Sequence, residues 1–195
     1  MKKHIGVVLR TFSSDRKKHS ILDRHEGKVT RISYDTTITQ GALISYFVKV
    51  TVCSQVITGE RVLDLPLELA RDDILFLHHI LELCNYFLRE QGPVRTTFDL
   101  LMLLYTPGKL FSSVVKKKFF LFKLLLSFGC YTDYEPFSLS MFHRLRSESI
   151  DSLANSHLDL EIERDMDEWL CSCVGAHPCF RFFKTVCFLE NNRAL

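Results

Sequence analysis

The chain has 195 residues, of which 47% are hydrophobic, 25% charged and 12% aromatic. This composition excludes disordered, collagenous and low-complexity chains, and the length suits one large domain or two small ones. A net charge of +2 names no partner by itself, so the distribution of charge carries more information than its sum. Seven cysteines, an odd and irregular set, accompany an N-terminal apolar run that spans only Ile5 to Leu9 before Arg10. That run is too short for a secretory leader. The longest apolar stretch, Phe119–Phe128, carries Lys123 and is about half of the roughly 20 residues a membrane-crossing helix needs. The expectation is a soluble cytoplasmic protein with free thiols.

The first third reads as strands. His4–Thr11 and Ser20–Leu22 are β runs, Arg24–Gly27 is a turn signal, and Lys28–Tyr34 is again extended. Leu43–Cys53 alternates with period two: Ile44, Tyr46, Val48, Val50 and Val52 share one face, while Ser45, Phe47, Lys49 and Thr51 share the other. A turn is expected at Thr58-Gly59-Glu60, then a fifth strand over Arg61–Leu65. Five short strands in about 65 residues suit a small Greek-key barrel such as an OB-fold, or a plain meander.

At Pro66 the period changes to that of helices. The spacing predicts one helix over Leu67–Arg89 and a second over Val94–Tyr105. A third is capped by Ser112 or Ser113 and ends at Gly129, apolar nearly all round in its second half and so expected at the centre of a bundle. Beyond Pro136 the signals weaken; Leu158–Leu170 and Pro178–Leu189 are further helical candidates. Strands first and helices second make the class α+β, with a barrel domain over residues 1–66 and a helical domain over 67–195.

Charge is segregated. Residues 1–31 carry nine Lys or Arg against three acids, a local +6, and residues 150–170 carry seven acids against one Arg, a local −6. A basic barrel suits a phosphate backbone, and Phe12, Tyr34 and Phe47 are candidates to stack on bases. A solvated basic face over core aromatics fits the same residues. Lys116-Lys117-Lys118 opens the third helix, where the helix dipole disfavours cations, with no acid from Phe111 to Leu126 to offset them. An anionic partner would explain the placement, as would a solvated helix end.

Enzymatic signatures are absent. Gly108-Lys109 lacks the remainder of a phosphate-binding loop, and there is no nucleophile elbow, zincin or dinucleotide fingerprint. Cys171, Cys173, His177 and Cys179 offer soft ligands within nine residues, but without the two separated pairs that wrap a tetrahedral zinc. No metal, cofactor or catalytic residue is expected.

Taken together, the residues resemble the bacterial recombination-mediator and DNA-repair family RecO, in which an OB-fold precedes a helical domain. Gly6-Val7-Val8-Leu9-Arg10-Thr11 resembles its first strand. Ile21-Leu22-Asp23 and Glu26-Gly27-Lys28-Val29 resemble the second strand, the turn and the third strand. Gly41-Ala42-Leu43 resembles the lead into the fourth strand. Asp73, Leu77, Leu81 and Tyr86–Glu90 resemble the first long helix, and Phe119–Gly129 with Tyr131 a later one. The likeness spans residues 4–135. It implies a non-catalytic protein that binds single- and double-stranded DNA, anneals strands and associates with RecR. It also implies engagement of the acidic, hydrophobic tail of single-stranded-DNA-binding protein (SSB), and thereby help in loading RecA. By the resemblance, Arg10, Lys28 and Arg31 face DNA, while Lys116, Lys117 and Lys118 receive the SSB tail beside Phe122 and Leu126, which fit the core of a central helix at least as well. Two departures stand out: Tyr34–Thr37 holds an acid and no base, and the zinc ribbon of some members is missing between Gly129 and Arg146. A protein-interaction module whose basic barrel docks an acidic protein is the competing reading.

Overall fold

The structure, a computed structural model, describes residues 2–12, 17–34, 38–52, 54–92, 94–106, 111, 113–130, 136–156 and 160–183. The first compact unit, Met1–Thr106, is built on a closed five-stranded barrel. Its strands are β1 (Lys3–Phe12), β2 (Lys17–Asp23), β3 (Gly27–Ser33), β4 (Leu43–Val50) and β5 (Gln55–Asp64), hydrogen-bonded in the order β1-β2-β3-β5-β4. All neighbours are antiparallel except β3 and β5, which are parallel and meet at Ile32 and Val56. Its apolar cluster is Val8, Ile21, Val29, Ile44, Tyr46 and Ile57, with Val48 at their margin. With the helices that follow, the architecture is α+β.

Two expectations about β4 and β5 need correction. The turn between them lies at Thr51–Ser54, closed by the Thr51 amide donating to the Ser54 carbonyl at 2.8 Å. Gly59 is not a turn residue but sits inside β5 at φ +63°, where the β4–β5 register shifts between Ser45 and Phe47. This is a bulge, which uses the same left-handed conformation as a tight turn and so leaves the same glycine in the sequence. Val50 and Val52, which the alternation puts on one face with Ile44 and Tyr46, lie past the end of the core and are exposed.

The boundary between the units falls after Thr106 rather than at Pro66. The helices α1 (Leu67–Asp72), α2 (Ile74–Phe87) and α3 (Arg95–Met102) belong with the barrel. The expected long helix is broken at Asp73, whose carboxylate caps α2 by accepting from the Phe76 amide at 2.9 Å. Helix α2 packs on β1. The chain leaving α2 then docks on the free edge of β3: the Gln91 amide donates to the Lys28 carbonyl at 3.0 Å, and Lys28 and Glu90 form a parallel bridge. Tyr105, at the end of this unit, donates its hydroxyl to the Gly41 carbonyl at 2.8 Å. The barrel wall is therefore completed by residues that a cut at Pro66 would remove.

Gly27 marks how close this docking is. It has φ +82°, and a Cβ there would press into the Gly92 carbonyl oxygen. Gly27→Ala is expected to cost about 2 kcal/mol or more, from left-handed strain plus the clash, read as a lowered midpoint in thermal unfolding.

The second unit, Pro107–Leu195, is helical: α4 (Val114–Ser127), α5 (Leu139–Ser147), α6 (Ile150–Asn155) and α7 (Leu160–Gly175). Ser113 caps α4, accepting from the Lys116 amide at 3.2 Å, and Gly129 follows its end at φ +77°, as expected. Phe119 through Phe122, Leu124 and Leu125 are all buried, so α4 is the central helix of this unit. Helices α5 and α6 went unread because each buries so little, Leu145 in one and Ile150 with Leu153 in the other. Of the last expected helix only a single turn, Phe180–Phe182, lies within the described residues. No helix is long and apolar enough to cross a membrane among the described residues.

Candidate nucleic-acid interface

Which basic residues reach the outside of the barrel follows from strand parity. In β2 and β3, Ile21 and Val29 point inward and pair in register, so Lys18, Ser20, Thr30 and Ile32 point outward. In β1 the inward set begins with Gly6 and Val8, which would carry Arg10 inward as well. A register shift between Val8 and Arg10 prevents this: Leu9 is the extra residue, and beyond it Arg10 pairs with Ser20 and Phe12 with Lys18. Two rows therefore lie on the outer side of the barrel, Arg10–Ser20–Thr30 and Phe12–Lys18–Ile32, with Ser20 buried and Phe12 and Ile32 half-buried between exposed neighbours. Arg10 and Lys18 are exposed, and the Arg10 guanidinium lies 4.8 Å from the centre of the Phe12 ring, a cation–π contact. Tyr34 continues the outward parity of β3 and is 65% exposed.

Lys28 and Arg31, the other two residues expected to face DNA, are placed differently. They are three apart on one strand and so project to opposite sides. Lys28 points outward but its ammonium donates to the Asn85 carbonyl at 2.7 Å, tying β3 to α2. Arg31 points inward, is 7% exposed, and pairs with Glu26. Of the three expected DNA contacts only Arg10 stands on the open face. Lys18 joins it, a residue that sequence reasoning counted as charge but did not select. Phe47 is on the outer side of β4, half-buried against Gly59 of the bulge, and not among these rows.

Beneath the face, the barrel holds a buried polar network. Asp23 is fully buried: its Oδ2 accepts from the Tyr46 hydroxyl at 2.7 Å and lies 3.2 Å from His4 Nδ1. Its Oδ1 accepts from the amides of His25 and Glu26 at 2.8 and 2.9 Å, closing the β2–β3 turn. The His4 and Tyr46 rings stack with centroids 5.4 Å apart. Burial first, and then the Asp23 charge, push the Tyr46 phenol far above its ordinary range, so it remains a hydrogen-bond donor.

In the helical unit the lysine run finds its counter-charges within the chain. Lys116 bonds Asp151 at 2.6 Å and Lys118 bonds Asp167 at 2.8 Å, so the basic start of α4 is answered by the acidic segment 150–170. Lys118 is only 8% exposed, and Lys117 is half-buried. Phe122, a candidate for the tail groove or for the core, is fully buried and packs on Trp169 with ring centroids 4.7 Å apart. Phe122 is therefore core, and Lys116 and Lys118 are held in ion pairs within the chain. An acidic tail binding there would have to displace Asp167. Lys118→Ala is expected to cost about 2 kcal/mol, because it strands a carboxylate only partly open to solvent. Lys118→Met with Asp167→Leu is expected to recover most of the loss, as chemical denaturation of the two variants will show.

The cysteine cluster does not converge. Cys171 and Cys173 are two residues apart on α7 and so face different ways, and His177 Nδ1 accepts from the Cys179 amide at 3.1 Å. Burial pushes the Cys173 thiol up to about 12, far from the thiolate a metal needs. Among the described residues no group of three His, Cys, Asp or Glu is placed to hold a metal.

No family model matches the chain, and no curated protein matches it.

Proposed function

We propose that the protein binds DNA through the outer β1–β2–β3 face of an OB-type barrel and acts without turnover as a recombination mediator in DNA repair. The observation that carries this reading is the pair of in-register rows that set Arg10, Phe12 and Lys18 side by side on an exposed surface. The strand order and the use of the β2–β3 face are those of oligonucleotide-binding barrels. Basic groups interleaved with aromatics are the ordinary means of gripping a nucleic acid without reading its sequence. The ordered resemblance to RecO adds the biological context: annealing of complementary strands, association with RecR, and loading of RecA on SSB-coated DNA in the bacterial cytoplasm. Docking of the SSB tail at Lys116–Lys118 belongs to this reading as an exchange, in which the tail's carboxylates replace Asp151 and Asp167.

The test is fluorescence anisotropy of a labelled oligonucleotide, titrated with the whole protein at several salt concentrations. Binding is expected to weaken steeply with salt, by a factor of about 0.7 in log–log slope for each phosphate neutralised on a single strand. Absence of binding at low salt, together with capture of an acidic protein by the same face, would establish the protein-interaction reading in its place.

A further inference from the structure

We infer that Lys123 is an acylation site, open to a small donor such as acetyl phosphate, and that its modification unfastens helix α5 from α4. The inference concerns the helical unit alone and does not rest on the DNA-binding reading.

Lys123 is the only charged residue from Phe119 to Ser127, the apolar part of α4. Its ammonium donates to two backbone carbonyls, those of Leu145 and Arg146, each at 3.0 Å. Both belong to the last turn of α5, where helical carbonyls have no partner of their own. The rest of that turn is satisfied locally. The Arg144 carbonyl accepts from the Glu148 amide, and the His143 carbonyl accepts from the Ser147 hydroxyl. Lys123 thus caps α5 from a neighbouring helix, and its charge stands at the helix end that favours a cation.

Little else fastens α5. Leu145 is its buried residue, Leu139 is 75% exposed, and half-buried Phe142 meets Phe122 edge-on at 5.9 Å. A helix of nine residues is too short to persist unaided, so it depends on these contacts.

Lys123 is also suited to the reaction. Lys116 and Lys118 on the same helix are bonded to carboxylates, whereas the acceptors of Lys123 are neutral. Burial pushes its ammonium below the ordinary lysine range, against an opposing pull from Glu148, itself bonded to Arg144 at 2.9 Å. More of the side chain is therefore present as free amine, the nucleophilic form. The residue is half-buried, which leaves an opening for a donor of few atoms. The ammonium first gives a proton to water, and the amine then attacks the carbonyl carbon of acetyl phosphate. The N–C bond forms, the C–O bond to the phosphate breaks with its electron pair going to phosphate, and the surplus amine proton leaves to solvent. The amide product is uncharged and keeps a single N–H. It can serve one of the two carbonyls and no longer favours the helix end.

The full-length protein is incubated with acetyl phosphate, and acetylation at each lysine is followed by peptide mass spectrometry. Lys123 is expected to react about 3-fold or more faster than Lys116 and Lys118. Amide hydrogen exchange over residues 139–147 should then quicken about 10-fold, while the barrel strands exchange as before. Lys123→Gln should reproduce the quickened exchange without the reagent. Lys123→Arg keeps the charge and the donors, so its α5 should exchange like that of the untreated protein both before and after acetyl phosphate. Should Lys123→Gln fail to fold, treated wild type against treated Lys123→Arg makes the same comparison. Acetylation at Lys123 no faster than at Lys116 and Lys118 would overturn the assignment of the site. Unchanged exchange over 139–147 in the acetylated protein, or the same quickening in treated Lys123→Arg, would overturn the release of α5.

Discussion

Asp23→Ala is expected to unfold or nearly unfold the barrel unit. The carboxylate is wholly buried and accepts from Tyr46, His25 and Glu26 with His4 alongside, so removing it strands several buried donors at once. Each stranded donor costs about 1–3 kcal/mol, and breaking a buried charged network costs about 3–5 kcal/mol as a whole. Domains of this size are stable by about 5–15 kcal/mol, so the loss takes about a fifth of the total or more. A fall in midpoint of roughly 15 °C or more is the expected thermal signature. Tyr46→Phe removes one donor and leaves the carboxylate with its other partners, so its cost should be nearer 1–2 kcal/mol. Because the two residues share one network, the double variant should lose less than the sum of the single losses. A loss below about 1 kcal/mol for Asp23→Ala would mean that the barrel is held by its apolar interior alone.

Reversing Arg10 and Lys18 together to Glu is expected to abolish most DNA binding while leaving the fold intact. Both side chains stand on the open face, and neither is part of the buried network. Each reversal removes an attractive phosphate contact and adds a repulsive one, so the pair should cost about 100-fold in affinity near 50 mM salt. The log–log salt slope should fall by about 1.4 for a single strand. Arg31→Ala gives the contrasting result: its guanidinium is paired with Glu26 inside the wall, so stability should drop and the salt slope should not. Anisotropy and thermal unfolding on the same three samples distinguish the outcomes. If Arg31 rather than Arg10 and Lys18 controlled the slope, the face would be wrongly drawn.

Several features of the fold were legible in the residues and others were not, for physical reasons. The period-two alternation of Ile44, Tyr46 and Val48 located β4 and divided its two faces, and Ser113 and Gly129 bounded α4. The opposed projections of Lys28 and Arg31 were also legible, since positions three apart on a strand face opposite sides. The bulge at Leu9 was not. One extra residue reverses the parity of everything after it, and no local pattern announces it. Lys118 misled for a related reason. A lysine among charged neighbours reads as surface, and its burial depends on Asp167, 49 residues away. The lysine run at the start of α4 and the acidic block over 150–170 were plain in the sequence, yet their partial pairing through Lys116–Asp151 and Lys118–Asp167 is a tertiary fact.

The closing of β3 by the chain beyond α2 sets a constraint on how the barrel is assembled. Its wall includes the Lys28–Glu90 bridge and the contact of Gly27 with Gly92, joining positions more than 60 residues apart. Such distant pairings must meet the entropy of closing a long loop before they return any stability, which slows folding. During synthesis the five strands can emerge and pair locally, but the wall stays unfinished until Gly92 has left the ribosome. The smallest piece expected to fold on its own is accordingly residues 1–106, and a fragment ending at Pro66 should expose an open strand edge and aggregate.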